Sequence, residues 1–559
     1  MLSGYRDPKS YTPEGVYPDD WSPFERIHSP EWRAYQAQDA PEWLNATELL
    51  LDKHVQDSSR AQKTAIIADH VPYTYQNLLR LVCKAAHALT GKLDLDSDNR
   101  VLIIAPDRIE AVITWLGAHR AGVVPCWVSP LYKPRELAYF IQDTACRALF
   151  IDAGSLDKLS EIHEELPSAL KHVIVYGGAE EVGRSYHELV DSMPETFTPQ
   201  RKHVDDFSYL FYSGGTTGKA KCIVHTVRDF TWVPHSFVTF MEWKPEYVHY
   251  DTSPKFHTHG IWPGVLIPLW NGATTVLVSD RLSPNLVVET VEKYRPQVLT
   301  TVPTVLKWLV AYPSQQGTKP DFSSLTMVHS AAEKIPMAIH EKFLEIYDLE
   351  AFDSIGSSEI AYEWLANRPT EHRMGSAGKP IFNCEALLVD PDTMEIIRKP
   401  HQQGEIWVKS DGVLFFYWRK YHKTKDCLVG PWMRTGDVVY FDEDGFLFHV
   451  SRVDDVFKVS GMWVSPLEVE DSLLTHEAVQ DAAAIPKKSE SDGLTYPKAF
   501  VVLSPGWTLT DELVTELQKR VRDAIGGYKS PRWIEAIDEI PSTTFQKISR
   551  VTLRQQEES

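Results

Sequence analysis

The hydrophobic and polar positions of the chain alternate between two periods. Apolar residues at helical spacing over residues 78–89 predict a helix. Residues 101–105 form a short continuous apolar run, typical of a strand buried on both faces, and residues 109–116 return to helical spacing. Further buried strands are predicted over residues 173–176, 275–278 and 298–302. Strands that alternate with helices predict an α/β fold with largely parallel sheets.

The pattern changes towards the C-terminus. Residues 404–408 and 445–448 alternate like half-buried antiparallel strands, and another strand is predicted after Pro497. Residues 511–525 have the amphipathic spacing of a helix that ends at two glycines. We therefore expect a large N-terminal domain over residues 1–451, beginning with an arm over residues 1–45. A small α+β domain follows over residues 452–559.

Length and composition exclude several classes of protein. The 559 residues are 43% hydrophobic and 24% charged, which suits large folded cores rather than disorder. The net charge of −20 argues against a nucleic-acid-binding protein, because such proteins need a basic face. The N-terminus has no signal layout and the chain has no apolar run long enough to span a membrane, so we expect a soluble, cytoplasmic protein. The six cysteines show no C-x-x-C spacing, which predicts buried, reduced thiols rather than a zinc site.

A glycine-threonine loop carries the strongest chemical signal. An apolar strand leads into Ser213-Gly-Gly-Thr-Thr-Gly218, and a second strand is predicted after it. Glycines let backbone N–H groups approach a ligand, and Lys219 and Lys221 add charge. Residues 208–228 hold no acidic side chain, as a phosphate-binding loop requires. The loop is not a Walker motif, since Ser213 and Ala220 stand where that motif needs Gly and Ser/Thr. The alternative is an ordinary Gly-rich hairpin.

The loop resembles the phosphate loop of adenylate-forming enzymes, the superfamily of acyl-CoA synthetases, adenylation domains and luciferases. Four further segments resemble the motifs of that family in the same order. They are Asp353-Ser-Ile-Gly-Ser-Ser-Glu359, Met433-Arg-Thr-Gly-Asp437, residues 451–470 and residues 528–550. The resemblance covers the chain from about residue 50 to its end. Residues 330–336, 355–360, 375–380 and 459–466 place it nearest to benzoate- and 2-aminobenzoate-CoA ligases.

The resemblance implies a fold and a set of site residues. The fold is α/β, with helix-covered β-sheets and a small barrel-like subdomain, followed by a mobile α+β lid that turns about a hinge at Asp454. The implied catalytic residues are Lys547, His257 and Glu359, with Glu359 also holding Mg²⁺. The implied ATP- and AMP-binding residues are Ser213, Gly214, Gly215, Thr216, Thr217, Gly218, Lys221, Ala332, Glu333, Asp353, Ser354, Ile355, Ser358, Asp437 and Arg452. The acid pocket would contain His257, Thr258, His259, Ala331, Gly356 and Tyr362, and the CoA region Ser460, Gly461, Met462 and Trp463.

The implied reaction uses ATP, Mg²⁺ and coenzyme A. A carboxylate attacks the α-phosphate of ATP to give an acyl-adenylate and pyrophosphate, and a thiol then displaces AMP. The benzoate ligases are largely apolar where this chain has His257-Thr-His259, so we predict an aryl acid with a polar substituent, such as amino- or hydroxybenzoate. Both histidines could instead be packing groups. The expected oligomeric state is a monomer or a homodimer.

Two alternatives remain open at this stage. The chain could load an acyl carrier protein instead of CoA, or it could be a non-catalytic nucleotide- or acyl-binding protein. Retention of Glu359, Asp437, Arg452 and Lys547 argues against the second alternative. Ala220, Cys222 and Gln546 depart from the usual pattern of the family, and Gln546 puts the speed of lysine placement in doubt because it disfavours a positive-φ turn.

Overall fold

The computed structural model describes residues 41–178, 183–215, 218–453, 455–459, 462–489, 491–541 and 548–558. Two large sheets with helices on their faces form the first part of the chain, and two smaller β-units follow.

The strands, in chain order, are β1 Trp43–Leu44, β2 Thr64–Ala68, β3 Val71–Thr74, β4 Arg100–Ile104, β5 Val124–Val128, β6 Ala148–Asp152, β7 His172–Tyr176, β8 Arg184–Ser185, β9 Lys202–His203, β10 Phe207–Gly215, β11 Gly218–Thr226, β12 Val248–Asp251, β13 Thr274–Leu277, β14 Val298–Thr301, β15 Met327–Ser330, β16 Ala351–Gly356, β17 Glu363–Ala366, β18 Lys379–Pro380, β19 Cys384–Val389, β20 Gly404–Ser410, β21 Phe416–Tyr417, β22 Leu428–Val429, β23 Trp432–Phe441, β24 Leu447–Arg452, β25 Phe457–Val459, β26 Met462–Val464, β27 Val479–Lys488, β28 Thr495–Leu503 and β29 Trp533–Ala536.

The α-helices are α1 Lys53–Gln56, α2 Ser58–Ala61, α3 Tyr75–His87, α4 Ile109–Arg120, α5 Pro134–Thr144, α6 Leu156–Glu161, α7 Tyr186–Val190, α8 Asp229–Met241, α9 Thr258–Ile261, α10 Ile267–Asn271, α11 Pro284–Tyr294, α12 Pro303–Gln316, α13 Met337–Tyr347, α14 Tyr421–Cys427, α15 Pro466–Leu474, α16 Asp511–Ile525 and α17 Arg550–Glu558.

The first sheet has eight strands in the order β21-β11-β10-β5-β4-β6-β7-β8. Its central strand β4 is buried on both faces, since Val101 and Ile103 pack into one hydrophobic core while Leu102 and Ile104 pack into another. This is the physical reason for the continuous apolar run over residues 101–105.

The second sheet has nine strands in the order β18-β17-β16-β15-β14-β12-β13-β2-β3. Strands β2, β13, β12, β14, β15 and β16 run parallel, and β17 turns back antiparallel to β16. The carboxyl ends of β14, β15 and β16 therefore meet at one edge, where ligands bind in open α/β sheets.

The smaller units are mainly antiparallel. Strands β19, β20, β23, β22 and β24 form a five-stranded sheet, in the place of the predicted barrel-like subdomain. In the C-terminal unit, β27, β28 and β29 form a three-stranded sheet, and α15 and α16 pack against the same core. The predicted fold class is confirmed: a large α/β region is followed by a small α+β domain.

The element predictions agree with the structure except at some ends. The strand predicted over residues 445–448 begins only at Leu447, because Gly445 has a φ of +80° and lies in the turn that Asp442 closes by accepting from the Phe446 N–H. Five of the six cysteines are buried, as predicted, and Cys427 is half-buried. In the part of the chain that the structure describes, no helix is both long and apolar enough to cross a membrane.

Candidate active site

The glycine-threonine loop joins two antiparallel strands. Strands β10 and β11 pair with Ser213 opposite Lys221 and Gly215 opposite Gly218. The strand predicted after the loop is therefore present, and no helix follows as it would in a Walker loop. Thr216 and Thr217 lie outside the described residues. Gly214 is exposed, so its backbone is accessible to a ligand.

Glu359 lies opposite this loop. It belongs to a short helical turn, Ser358–Ile360, between β16 and β17. Its Oε1 lies 3.4 Å from Lys221 Nζ and 3.3 Å from Ser213 Oγ, and it accepts a hydrogen bond of 2.9 Å from the Tyr417 hydroxyl. The structure thus brings two separate sequence motifs together. Tyr417 belongs to no motif that the sequence reveals, and only the pairing of β21 with β11 places it here.

The environment keeps Glu359 ionised. Burial raises the pKa of this carboxyl, but the Lys221 charge and the Tyr417 hydrogen bond outweigh burial and hold the pKa below its ordinary value. The charge of Arg452 acts in the same direction, so the fourth motif also lies near Glu359.

The residues present fit a magnesium ion that is bound mainly by a substrate. The described residues contain no cluster of three or more His, Cys, Asp or Glu side chains that could hold a metal on its own. Mg²⁺ in nucleotide sites is commonly held by one or two carboxylates together with phosphates and water. Glu359 would supply one such carboxylate, and its three described hydrogen-bonding contacts all fall on Oε1.

A chain of hydrogen bonds fixes the turn that carries Glu359. The Ser358 carbonyl oxygen lies 2.7 Å from His225 Nε2, and the other ring nitrogen of His225 lies 2.8 Å from Asp229. The Ser358 hydroxyl lies 3.2 Å from the hydroxyl of Thr258 at the start of α9. Ser358 therefore links the predicted nucleotide site to the predicted acid pocket.

The adjoining segment lies at the carboxyl ends of β15 and β16. Ser330 pairs with Asp353, and Ala331, Ala332 and Glu333 directly follow β15. Asp353 accepts backbone N–H groups from Ile335 at 3.1 Å and Ser354 at 3.0 Å.

Two further features mark this segment. Burial raises the pKa of the Asp353 carboxyl to about 7, although these two N–H groups oppose the shift. Ala332 has a φ of +73°, a left-handed conformation that is uncommon for alanine. The segments around Ala332 and Ile355 are adjacent because Ser330 pairs with Asp353.

Asp437 and Arg452 are opposite each other on β23 and β24. Arg452 Nη1 lies 3.3 Å from Asp437 Oδ1, and His449 Nε2 lies 3.2 Å from the same oxygen. The Asp437 carboxylate is buried, whereas the Arg452 side chain is half exposed. His449 is a further contact of this pair that the sequence motifs do not single out.

The predicted acid pocket contains a buried ionic cluster. His257 precedes α9, and His259 within α9 directs Nδ1 to 3.3 Å from Glu363 Oε1. His329 on β15 lies with Nε2 2.7 Å from Glu363 Oε2. The Tyr362 and His259 rings stack with centroids 6.2 Å apart. Glu363 and His329 were missed by sequence reasoning, because neither stands in a recognised motif.

The pKa shifts describe the charge state of this cluster. Burial raises the pKa of Glu363, yet His329 and His259 outweigh burial and lower it to about 2. Burial lowers the pKa of His259, but the nearby Glu363 carboxylate raises the pKa above its ordinary value. Glu363 is therefore a carboxylate at neutral pH.

Several predicted site residues lie outside the described residues. These are Thr216, Thr217, Asp454, Ser460, Gly461 and the predicted catalytic Lys547. In the predicted CoA region, Met462 and Trp463 belong to β26, and the Met462 side chain is exposed.

Comparisons with known proteins identify the family of the chain. The profile of the AMP-binding enzyme family matches residues 53–418, and that of the AMP-binding enzyme C-terminal domain matches residues 468–547. The chain is 32% identical to the benzoate–CoA ligase of Thauera aromatica over 511 residues, 91% of this chain and 95% of that protein. It is 30% identical to the 4-hydroxybenzoate–CoA/benzoate–CoA ligase of Rhodopseudomonas palustris, over 91% of this chain and 94% of that protein.

A solved structure shows the same similarity. The crystal structure of the anthranilate CoA ligase AuaEII in complex with anthranoyl-AMP superposes with a TM-score of 0.87 at 30% identity. The match covers 93% of this chain and 99% of that chain. The chain therefore belongs to the AMP-binding, adenylate-forming superfamily, as an enzyme of the AMP-forming acid–CoA ligase family.

Proposed function

We propose that this enzyme activates an aryl carboxylic acid with ATP and transfers the acyl group to coenzyme A, releasing pyrophosphate and AMP. One observation carries the proposal: the glycine-threonine loop contacts the turn that carries Glu359, and the same turn contacts the predicted acid pocket. Lys221 and Ser213 contact Glu359, and the neighbouring Ser358 contacts Thr258 of the pocket.

The first half-reaction brings two anions together, so it needs positive charge at the α-phosphate. We assign Lys221, the loop N–H groups around Gly214 and the catalytic Lys547 to this task. Glu359 would hold Mg²⁺, which supplies further positive charge to the phosphates when it is bound. We assign the orientation of the incoming carboxylate to His257, which precedes the first turn of α9.

The nucleotide would lie along the carboxyl ends of β15 and β16. Residues at those ends would enclose the adenine, namely Ala332, Glu333, Asp353, Ser354 and Ile355. Asp437 would accept hydrogen bonds from the two ribose hydroxyls, with Arg452 beside it. The 3.3 Å contact between Arg452 and Asp437 supports this pairing.

The second half-reaction requires a different arrangement of the C-terminal domain. We propose that residues 452–559 rotate about Asp454 after the adenylate forms. Ser460, Gly461, Met462 and Trp463 would then border the path of the CoA thiol. One site can serve both steps because a lid movement exchanges the groups that face the substrate.

The substrate is proposed to be a benzoate with a polar ring substituent. The relatives support an aryl acid, since their names specify benzoate, hydroxybenzoate and anthranilate. The polar side chains of the pocket, His259, Tyr362 and Glu363, support a polar substituent rather than an unmodified ring.

The test is a panel of acids with ATP, Mg²⁺ and CoA, scored by the mass of the thioester. We expect benzoates to be converted, with amino- or hydroxybenzoate preferred over straight-chain fatty acids. Lys547→Ala should lower acid-dependent pyrophosphate release by about 100-fold or more, because it removes a cation that stabilises the transition state. A clear preference for a fatty acid, or equal activity of Lys547→Ala and wild type, contradicts the proposal.

A further inference from the structure

The Glu363 carboxylate lies at the centre of the predicted acid pocket. It is only 1% exposed and stands opposite Gly356 in the pairing of β16 with β17. A Cβ at Gly356 would lie 2.9 Å from Glu363 Cγ, so the glycine leaves the room that this side chain occupies. Three residues assigned to the pocket from sequence, His259, Gly356 and Tyr362, are therefore all neighbours of Glu363.

Two histidines lie beside the carboxylate. His259 has the Thr301 carbonyl oxygen 3.0 Å from Nε2 and Glu363 Oε1 3.3 Å from Nδ1. Nε2 of His259 donates to the Thr301 carbonyl oxygen, whereas Nδ1 lies within ion-pairing distance of Glu363 Oε1 but makes no hydrogen bond with it. His329 Nε2 holds the second oxygen of Glu363 at 2.7 Å. His329 thus holds one carboxylate oxygen of Glu363, whereas the other, Oε1, has no hydrogen bond among the described residues.

The same place contains buried polar atoms with no hydrogen bond. Among the described residues, the buried atoms without a hydrogen-bond partner include Glu363 Oε1, His259 Nδ1, the Tyr362 hydroxyl, His329 Nδ1 and Ser330 Oγ. The Tyr362 side chain is 2% exposed, and its ring packs edge-on against Phe237 at 4.9 Å. Buried polar groups normally have hydrogen-bond partners. Replacing a buried ion pair by apolar residues often costs no stability. Unsatisfied groups beside an oriented carboxylate indicate that a polar part of a ligand completes the cluster.

We propose that Glu363, positioned by His259 and His329, is a specificity-determining residue that accepts a hydrogen bond from a hydroxyl or amino substituent of the acid substrate. An ionised carboxylate can only accept, so the substituent has to be a donor. Fluoro, methyl and methoxy substituents carry no N–H or O–H group, so they cannot donate a hydrogen bond to the carboxylate. This proposal rests on the proposed function, since it specifies which aryl acids the same pocket prefers.

The test compares acids that differ only in this donor. Benzoate and the three positional isomers of hydroxy-, amino- and fluorobenzoate are each assayed for kcat/KM of CoA thioester formation. The best donor-bearing acid should exceed its fluoro counterpart by about 10- to 100-fold in wild type. In Glu363→Gln, kcat/KM of the best donor-bearing acid should exceed that of its fluoro counterpart by no more than about threefold. The kcat/KM for benzoate should change much less.

Two additional variants control the experiment. Glu110→Gln replaces a partly buried carboxylate in the first turn of α4, where it pairs with Arg108 at 3.0 Å, and it should keep the wild-type ratio. Tyr362→Phe removes a hydroxyl that the protein itself leaves unpaired, so it should fold normally and still lower the ratio. This variant decides the question if Glu363→Gln does not fold.

The outcomes separate the two proposals. An unchanged ratio in Glu363→Gln, or an equal loss for benzoate and donor-bearing acids, overturns the role of Glu363 and makes the cluster purely structural. If Glu363→Gln does not fold, an unchanged ratio in Tyr362→Phe overturns it. Failure of the wild-type enzyme to convert any benzoate, with thioester formed from another class of acid, overturns the proposed function instead.

Discussion

At the scale of single residues, neighbours decide the charge state of the acidic groups at the proposed active site. Glu359 is half-buried and Glu363 is fully buried, yet each is ionised because cations or hydroxyl donors outweigh the effect of burial. Two backbone N–H groups and the charge of Lys334 lower the pKa of Asp353, but burial raises it by more. The sequence shows three similar acidic residues, whereas the structure shows two different electrostatic environments.

The Tyr417 hydroxyl should determine the lower end of the pH range of adenylation. Tyr417→Phe removes the 2.9 Å hydrogen bond to Glu359 and so raises the pKa of that carboxyl. The acidic limb of the pH profile of pyrophosphate release should move to higher pH, with a loss of about 3- to 10-fold at neutral pH. Initial rates measured from about pH 3.5 to about pH 9 check this, since the pKa of Glu359 lies below its ordinary value.

Tyr347→Phe is the matched control for this prediction. The Tyr347 hydroxyl is also buried and donates one hydrogen bond, of 2.7 Å, to the Leu309 carbonyl oxygen away from the site. That variant should lose stability without a shift of the pH profile. A profile of Tyr417→Phe that coincides with wild type would contradict the role of the hydroxyl.

Asp353 should make the unliganded enzyme less stable as pH rises. Its pKa of about 7 in the folded state lies above the unfolded value of 3.8, so folding retains a proton between these values. The resulting stabilisation is complete below pH 3.8 and is lost as pH rises to 7, by up to about 4 kcal/mol. Asp353→Asn has no such titration, so wild type should lose stability relative to it between pH 4 and pH 7.

Denaturant midpoints at several pH values measure this difference. Asp390→Asn is the control, since backbone N–H groups from Thr393 and Asp392 hold the pKa of Asp390 below its ordinary value. The difference in denaturant midpoint between Asp390→Asn and wild type should stay constant between pH 4 and pH 7. A constant difference for Asp353→Asn as well would show that Asp353 ionises normally.

At the scale of elements, short turns place the pocket residues. The His257 N–H donates to the Pro254 carbonyl oxygen at 3.0 Å, and the Gly260 N–H donates to the His257 carbonyl oxygen at 3.0 Å. These bonds fold the Pro-x-x-His-x-x-Gly segment into the start of α9. A Cβ at Gly260 would lie 2.0 Å from the Pro254 oxygen, so this spacing requires glycine.

Gly260→Ala should therefore disturb both stability and catalysis. The added methyl group has to displace the Pro254 carbonyl, which costs about 1–3 kcal/mol and moves Thr258 and His259. We expect a lower melting temperature together with reduced acid-dependent pyrophosphate release. Gly91→Ala is the control, because a Cβ there meets nothing within 4 Å. Wild-type activity and melting temperature in Gly260→Ala would refute the steric argument.

At the scale of the whole molecule, two ion pairs among the described residues join the C-terminal domain to segments that adjoin the second large sheet. Lys334 Nζ lies 2.9 Å from Asp471 of α15, and Lys307 of α12 lies 3.1 Å from Asp481 of β27. Lys334 directly follows the segment proposed to enclose the adenine. These pairs stabilise one of the domain arrangements that the proposed rotation would exchange.

The double variant Asp471→Asn/Asp481→Asn should change the two half-reactions unequally. Each partly exposed pair contributes at most about 1 kcal/mol, so the equilibrium between arrangements should shift by about 3- to 10-fold. Single-turnover rates of pyrophosphate release and of thioester formation from preformed adenylate measure the effect. Asp492→Asn, which breaks a pair with Arg532 inside the C-terminal domain, should leave the ratio of the rates unchanged. An equal change of both rates in the double variant would contradict this account.

The sequence by itself determined the α/β class, the main strands and helices, the order of the motifs and the enzyme superfamily. It could do so because apolar periodicity and turn-forming glycines are local properties, as residues 101–105 and the loop at Ser213 show. Only the tertiary structure brought Tyr417 to Glu359 and enclosed Glu363 between His259 and His329. Strand pairing joins residues that are far apart in the chain, and burial among those neighbours decides which carboxylates keep their charge.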